Sequence, residues 1–407
     1  MARLRVKNFG PIRESSTGGW IDVEVKKLTV LIGNQGSGKS TLAKLISIFS
    51  WVEKDLYRSG GATLRFRRQE RVFKKYLEYH RIDSYLKENT EIHYEGDAYE
   101  ISYVYGKNLQ IKRLLSLSYL LPKITYFPAE RNFVSSVKKS RGGLSLKLWS
   151  QSLQEFKEIF QEAKESFKGS LHLPIGNAEV EYNKLNDVLY IKGSGYKIQL
   201  ADSASGLQSF VPLYVVAHYV SSLLKSGQEM DELQRDIFKK ESAHILNDSS
   251  YTEEQKRLLL SNLAAQFNIK RTLNIIEEPE QNLFPASQQS MLNKLLEFNN
   301  ATCDNRLIIT THSPYIIGYT ALAIKANDLY GRTSKSDVIK KISAIVPQKS
   351  AISHNDVVIY QLDDSNGSIS RLDSYNGIPS SDNYLNRELA EKNELFAQLL
   401  DIEDLCR

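Results

Sequence analysis

The sequence predicts an α/β protein with a mixed central sheet, an antiparallel lobe and helical insertions. Three apolar runs predict it. Each has the length and β-branched content of a buried strand, and each ends in residues able to do chemistry. Lys27-Leu28-Thr29-Val30-Leu31-Ile32 runs into a glycine-rich stretch, Leu273-Asn274-Ile275-Ile276 into Glu277 and Glu278, and Leu307-Ile308-Ile309-Thr310-Thr311 into His312. Helical stretches lie between them, the alternation that parallel strands require.

The first run meets GNQGSGKS at Gly33 to Ser40, followed by Thr41. This fits the phosphate-binding template G-x-x-x-x-G-K-[ST] at every position, and the strand before it and helical spacing after it (Leu42 to Ile48) are the context that template needs. The glycines let the N–H groups of Gly33, Asn34, Gln35, Gly36, Ser37 and Gly38 close around an anion, and the start of the helix adds partial positive charge. Lys39 is expected to reach the β- and γ-phosphates of ATP, and the Ser40 hydroxyl, with Thr41 beside it, to hold Mg²⁺.

The second run ends in Glu277-Glu278-Pro279-Glu280. Beside a phosphate loop, Glu277 is expected to hold Mg²⁺ and Glu278 to orient and deprotonate the attacking water. Neighbouring side chains of a strand face opposite ways, so the two can differ in role only where the strand ends, and Pro279 supplies that turn. The third run delivers His312 to the edge where ligands of open α/β sheets bind, placed to donate to a γ-phosphate oxygen. Before both comes Ser203-Ala204-Ser205-Gly206-Leu207-Gln208, ahead of the apolar helical run Phe210 to Leu224. Small residues at a helix start form a second anion cradle, so Ser203, Ser205 and Gly206 are candidate nucleotide contacts.

The 407 residues carry a net charge of +5, which permits contact with nucleic acid without demanding it. The two cysteines, Cys303 and Cys406, give neither a metal spacing nor a disulfide framework, which suits a reducing cytosol. The opening MARLRVKNFGPIRE lacks the apolar core of a signal peptide, and no run reaches the ~18 apolar residues of a membrane span, so a cytoplasmic protein without membrane attachment is expected.

In this order, phosphate loop, S-x-S-G-x-Q signature, IIEEPE and TTHSP resemble the ABC-type ATPase heads of the SMC and RecF branch. QNLFP (Gln281 to Pro285), THSP and FPAER (Phe127 to Arg131) resemble the OLD-type ATPases (overcoming lysogenization defect), and LRVKNFGPI at Leu4 to Ile12 resembles the first strand of that branch. The resemblance spans roughly residues 3 to 325. It implies two heads sandwiching two ATP molecules, with Ser205 and Gly206 of one chain, assisted by Ser203, acting on the γ-phosphate held by the other. It further implies a homodimer or higher homo-oligomer, a γ-phosphate sensing role for Glu130 and Arg131, and a separate effector chain such as a nuclease or toxin in bacterial anti-phage defence. A RecF-like DNA-repair ATPase is the alternative. The SASGLQ signature and the glutamate at 277 depart from the transporter pattern of LSGGQ and aspartate.

An N-terminal lobe is expected at 1–50 and 91–133, with antiparallel strands turning at Gly96-Asp97 and Gly106-Lys107. A basic helical insertion is expected at 51–90, and a helical lobe carrying the signature at 134–270. That lobe includes an amphipathic helix over 144–168 that lines up Leu146, Trp149, Leu153, Phe156, Ile159 and Phe160. A C-terminal lobe at 271–330 and a tail at 331–407, a strand pair plus a helix, complete the division. Residues Arg65 to Arg81 interleave Arg65, Arg67, Arg68, Arg71, Lys74, Lys75 and Arg81 with Phe66, Phe73, Tyr76 and Tyr79. Such a mix suits nucleic-acid backbone contact with base stacking, or a solvated helix face with its aromatics in the core. Only about 80 residues follow the His312 region, which ends near residue 325, fewer than the ~100 of a typical domain, and they show no glutamate strand followed by D-x-D, so no Toprim nuclease is expected in this chain.

Overall fold

The computed structural model describes residues 2–405 apart from 16–17, 59–68, 108, 115–118, 137–148, 168, 227–231, 249–250 and 268. The chain opens with β1 (Ala2–Lys7), β2 (Ile21–Val25) and β3 (Leu28–Gly33), then α1 (Lys39–Arg58) and α2 (Gln69–Tyr79). Strands β4 (Glu91–Glu95), β5 (Tyr99–Val104), β6 (Gln110–Arg113) and β7 (Pro122–Phe127) follow, then α3 (Phe133–Ser136) and α4 (Gln151–Glu165). After β8 (Ser170–His172), β9 (Glu179–Asn183), β10 (Val188–Gly193) and β11 (Tyr196–Gln199) come α5 (Ser205–Ser226), α6 (Glu232–Asn247) and α7 (Glu253–Phe267). The last part alternates β12 (Arg271–Glu277), α8 (Pro285–Asn299), β13 (Arg306–Thr311), α9 (Pro314–Arg332) and α10 (Ser336–Ser343). It closes with β14 (Val357–Leu362), β15 (Ile369–Arg371), the short hairpin β16 (Ser374–Tyr375) and β17 (Ile378–Pro379), and α11 (Tyr384–Leu405).

The central sheet has the order β15-β14-β3-β13-β12-β7. All its strands run parallel except β15, which pairs antiparallel with β14 at the edge. Alternation splits its apolar side chains between two cores. Leu28, Val30 and Ile32 of β3 face a core shared with α4, α5, α8 and α9, whereas Leu31 faces one shared with α1, α2 and the five-stranded antiparallel sheet β2-β1-β4-β5-β6. Burial on both faces explains why these strands read as continuous apolar runs rather than alternating ones. A four-stranded antiparallel sheet, β11-β10-β9-β8, packs against α4 and α5.

The structure draws some elements differently from the sequence expectation. Val357–Leu362, expected within a separate tail, is a strand of the central sheet, paired in register with the phosphate-loop strand from Val357↔Leu28 to Leu362↔Gly33. The amphipathic helix starts at Gln151, where the Ser150 hydroxyl accepts the N–H of Leu153. Leu153, Phe156, Ile159 and Phe160 are buried on it, Trp149 precedes it half-buried, and Leu146 lies outside the described residues. In the basic stretch, Arg65, Phe66, Arg67 and Arg68 lie outside the described residues, as does the side chain of Arg71. Lys74 and Lys75 are exposed. The described aromatics of that stretch turn inward: Phe73 is buried, the Tyr76 hydroxyl donates to Asp55 at 2.5 Å, and the Tyr79 hydroxyl donates to Glu155. Helix α5 is long and apolar enough to cross a membrane, but here Phe210, Val211, Leu213, Val215 and Val216 sit in the core.

Candidate functional site

Five parallel strands end at one edge of the sheet, so their C-terminal loops meet there although their sequences lie hundreds of residues apart. Gly33 ends β3, Thr311 ends β13 beside it, and Glu277 ends β12 one strand further on. Two interstrand spacings separate the start of the phosphate loop from the acidic turn, about 10 Å. His312 therefore emerges between the two.

The phosphate loop is closed by its own polar groups. Lys39 is buried at 5% exposure, and its ammonium donates to the carbonyls of Gly33 at 2.9 Å and Asn34 at 2.6 Å. The Ser37 hydroxyl also donates to the Asn34 carbonyl, at 2.8 Å. Burial lowers the Lys39 pKa to about 8, while Glu278, Glu280 and Asp364 oppose the shift. Gly33 has φ +150°, and a Cβ there would lie 2.3 Å from the Leu362 carbonyl oxygen of β14, so the loop needs glycine where the two strands pass. Ser40 is half-buried and Thr41 buried in the first turn of α1.

The acidic turn separates its two glutamates as the turn geometry requires. Glu277 is 5% exposed. Its Oε2 accepts the Ala129 N–H at 3.1 Å, and its Oε1 is buried with no hydrogen-bond partner in range among the described residues. An orphaned carboxylate oxygen is costly unless a cation or water meets it. A cavity of about 350 Å³ adjoins it, lined in part by Lys44, His80, Tyr126, Glu130 and Trp149. No cluster of three His, Cys, Asp or Glu occurs among the described residues. Mg²⁺ at nucleotide sites uses one or two carboxylates plus phosphate, and the orphaned Oε1 of Glu277 fits that donor set. Glu278 adopts φ +43°, and its carboxylate reaches outward to His312, Oε1 to Nε2 at 3.4 Å. The hydrogen bond from His312, reinforced by its charge and that of Lys39, keeps the Glu278 carboxyl below its usual pKa. Glu280 turns back instead and accepts from the Thr311 hydroxyl at 2.6 Å and the His312 N–H at 2.9 Å. Burial raises its pKa, and it fixes the histidine's backbone.

The signature segment packs on this turn from the other side. Ser205 is exposed at the start of α5, and Gly206 lies against the turn, where a Cβ would sit 2.7 Å from the Asn282 carbonyl oxygen. Ser203 is buried with its hydroxyl donated to the Leu200 carbonyl at 2.7 Å, so it caps the preceding turn rather than facing outward. Arg131, suggested by resemblance as a γ-phosphate sensor, is fully buried and directs its guanidinium at main-chain carbonyls. Glu130 is exposed beside the cavity. Sequence reasoning missed Asp364, whose Oδ2 accepts from Asn34 Nδ2 at 3.2 Å. Its signal was present: Val357-Val358-Ile359-Tyr360-Gln361-Leu362 ends in Asp363-Asp364 just as the acidic strand ends in two glutamates.

Residues 28–318 match a family described as "AAA domain, putative AbiEii toxin, Type IV TA system". No match occurs among curated proteins. Among solved structures, the SMC head domain from Thermotoga maritima is similar at 9% identity, covering 92% of this chain and 98% of that one, with a TM-score of 0.38. The SmcHead bound to the C-winged helix domain of ScpA is similar at 11% identity over 91% of this chain and 96% of that one, TM-score 0.37. A nucleotide-free ATP-binding cassette from an ABC transporter is similar at 13% identity over 93% and 94%, TM-score 0.28. The family match extends over most of the chain, which belongs to this AAA family. Its fold is that of an α/β P-loop NTPase, a largely parallel central sheet flanked by antiparallel sheets and helices.

Proposed function

From membership of this AAA family and the geometry of the sheet edge, we propose a Mg²⁺-dependent ATPase whose nucleotide-sandwiched dimer works as a conformational switch. The observation that carries it is the convergence of Lys39, Glu277, Glu278 and His312 on adjacent strand ends. Lys39 exchanges its loop carbonyls for β- and γ-phosphate oxygens, and the loop N–H groups from Gly33 to Ser40 cradle the triphosphate. Mg²⁺ held by Ser40 and Glu277 neutralises phosphate charge when bound. Glu278 accepts a proton from water as the oxygen attacks the γ-phosphorus. The bond to the β-phosphate bridging oxygen breaks, and ADP and phosphate leave. His312 keeps Glu278 ionised and donates toward the γ-phosphate oxygens. Ser205 and Gly206, at the exposed start of α5, complete the charge cage of a partner's nucleotide, so chemistry waits on dimer closure.

The role proposed is the cytoplasmic ATPase subunit of a bacterial anti-phage defence complex with a separate effector chain, a nuclease or toxin. The family's own description and the OLD-like QNLFP, THSP and FPAER segments support it. Exposed Lys74 and Lys75 on α2 keep a second reading, a RecF-like DNA-binding ATPase. The inward-facing Phe73, Tyr76 and Tyr79 weigh against base stacking there.

The test is the Glu278→Gln chain with saturating ATP and Mg²⁺, followed by light scattering and by phosphate release with and without DNA. Trapped nucleotide, a mass at least twice the monomer and a rate ~10²–10⁴-fold below wild type are expected for loss of a general base. A monomer under these conditions rejects the sandwich, wild-type turnover rejects Glu278, and DNA-stimulated hydrolysis by the wild-type chain favours the second reading.

A further inference from the structure

Arg131 lies in the 3-10 turn Ala129–Asn132 that follows β7, and it is the largest fully buried side chain described. A guanidinium has five N–H groups. Here Nε donates to the Ser209 carbonyl at 3.3 Å, Nη1 to the Pro128 carbonyl at 3.2 Å and the Glu277 carbonyl at 2.6 Å, and Nη2 to the Glu278 carbonyl at 2.6 Å. All of these acceptors belong to the main chain. Burial lowers its pKa to about 10, opposed by Glu280, Glu277 and Glu278, so it carries its charge at neutral pH.

The consequence for Glu278 is specific. Its backbone is left-handed at φ +43°, a conformation that a side-chain-bearing residue holds only when its surroundings impose it. The peptide plane before Glu278 is pinned through the Glu277 carbonyl by Arg131 and through the Glu278 N–H by the Thr310 carbonyl at 2.9 Å. The plane after it is pinned through the Glu278 carbonyl by Arg131. Two fixed planes fix both dihedrals, and with them the direction in which Cβ leaves the chain. The same guanidinium reaches α5 at Ser209, whose hydroxyl accepts from Asn282 Nδ2 at 3.1 Å, and the Ser135 hydroxyl donates to the neighbouring Gln208 carbonyl at 2.8 Å. The acidic turn and the start of the signature helix are thus one block with Arg131 at its centre.

We propose that Arg131 is a positioning residue for hydrolysis: it sets the aim of the Glu278 carboxylate and joins that aim to the signature helix of the same chain. The inference rests on Glu278 being the base, as proposed above. Lysine keeps the charge but cannot reproduce a planar fork that spans several carbonyls, which makes Arg131→Lys the informative variant.

The experiment compares wild type, Arg131→Lys, Glu278→Gln and the double variant for kcat, for Kd of a fluorescent ATP analogue and for melting temperature. Arg131→Lys is expected to bind the analogue within about threefold of wild type while kcat falls about tenfold or more, because the loss is confined to the hydrolytic step. The double variant is expected to match Glu278→Gln within about twofold, since residues acting as a unit are not additive. Wild-type kcat in Arg131→Lys overturns the proposal, as do losses that multiply in the double variant, or a Kd that rises in step with the fall in kcat. Wild-type turnover in Glu278→Gln alone instead defeats the assignment of the base. If Arg131→Lys does not fold, Arg131→Met is put through the same comparison, and if neither yields folded chain the role is structural and the proposal fails.

Discussion

Burial makes single residues in and around this site release their protons more readily than they would in water. Lys39 is the clearest functional case, its ammonium kept in a buried loop by two carbonyls until phosphate can take their place. His80 shows the same physics away from the chemistry. It is 2% exposed, sits 4.6 Å from the Tyr126 ring, and shares one hydrogen bond of 3.3 Å between Nε2 and the Ser47 hydroxyl. Burial, aided by the charge of Lys44, pushes its pKa down to about 3. The unfolded chain therefore takes up a proton near pH 6.5 that the folded chain refuses. This contribution to stability is fully present above pH 6.5 and is lost as the pH falls toward 3, at about 1.4 kcal/mol per pH unit. Urea unfolding of wild type and His80→Gln at pH 7, 6 and 5 should show the variant losing less stability on acidification. Parallel slopes would mean that His80 is already charged in the fold.

Elements are joined at the opposite edge of the sheet by a partly buried ion triad. Asp97, in the turn between β4 and β5, contacts Arg271 at 2.6 Å and Arg306 at 3.0 Å, the first residues of β12 and β13. Burial alone would raise the Asp97 pKa, but Arg306 and Arg271 hold it well below the usual carboxylate range. Its contribution is therefore present above the ordinary aspartate pKa and fades only as the pH drops through strongly acid values. From the side of α1, Glu53 accepts the Ala98 N–H at 2.7 Å and the Tyr99 N–H at 3.2 Å, so the hairpin is clamped between helix and sheet. Asp97→Asn takes the counter-charge from the buried Arg271 and the half-buried Arg306 and should cost about 3 kcal/mol in denaturant unfolding, the low end of the range for breaking a buried pair. A loss under 1 kcal/mol would mean that solvent reaches the triad. The turn at Gly96-Asp97 was legible in the sequence. Its docking on two strand starts was not, because nothing local to Asp97 encodes an arginine more than 170 residues away.

At the scale of the whole molecule, β14 decides where the ATPase ends. It pairs with the phosphate-loop strand along its full length and buries Val357, Val358, Ile359 and Tyr360. The loop after it brings Asp364 to Asn34, and the Gly367 carbonyl accepts the Arg13 N–H at 3.3 Å. A chain stopped after Ser350 exposes one whole side of β3 and should lose cooperative thermal unfolding. A chain stopped after Lys392 removes the part of α11 that holds exposed Leu395, Phe396 and Leu399, and should keep both melting and ATP binding. Normal melting of the shorter chain would show that β14 is an accessory strand.

The sequence by itself determined the local machinery. A phosphate loop is eight consecutive residues whose backbone geometry is set by its own glycines, and a strand that ends in Glu277-Glu278 or Thr311-His312 carries its chemistry at its own end. These features depend on neighbours in sequence, so they could be read there, as could the apolar strands on either side. Tertiary structure alone decided what lies beside them. Asp364 reaches the loop only because a parallel sheet sets Leu362 beside Gly33, a pairing across more than 300 residues that a terminal hairpin pattern gives no reason to expect. Arg131 is expected, by resemblance, to sense a γ-phosphate, and a charged residue in a short loop is ordinarily exposed. It points inward because packing brought two strand ends, those of β7 and β12, and a helix close enough to offer it carbonyls, and that closeness belongs to the folded core, not to any one segment.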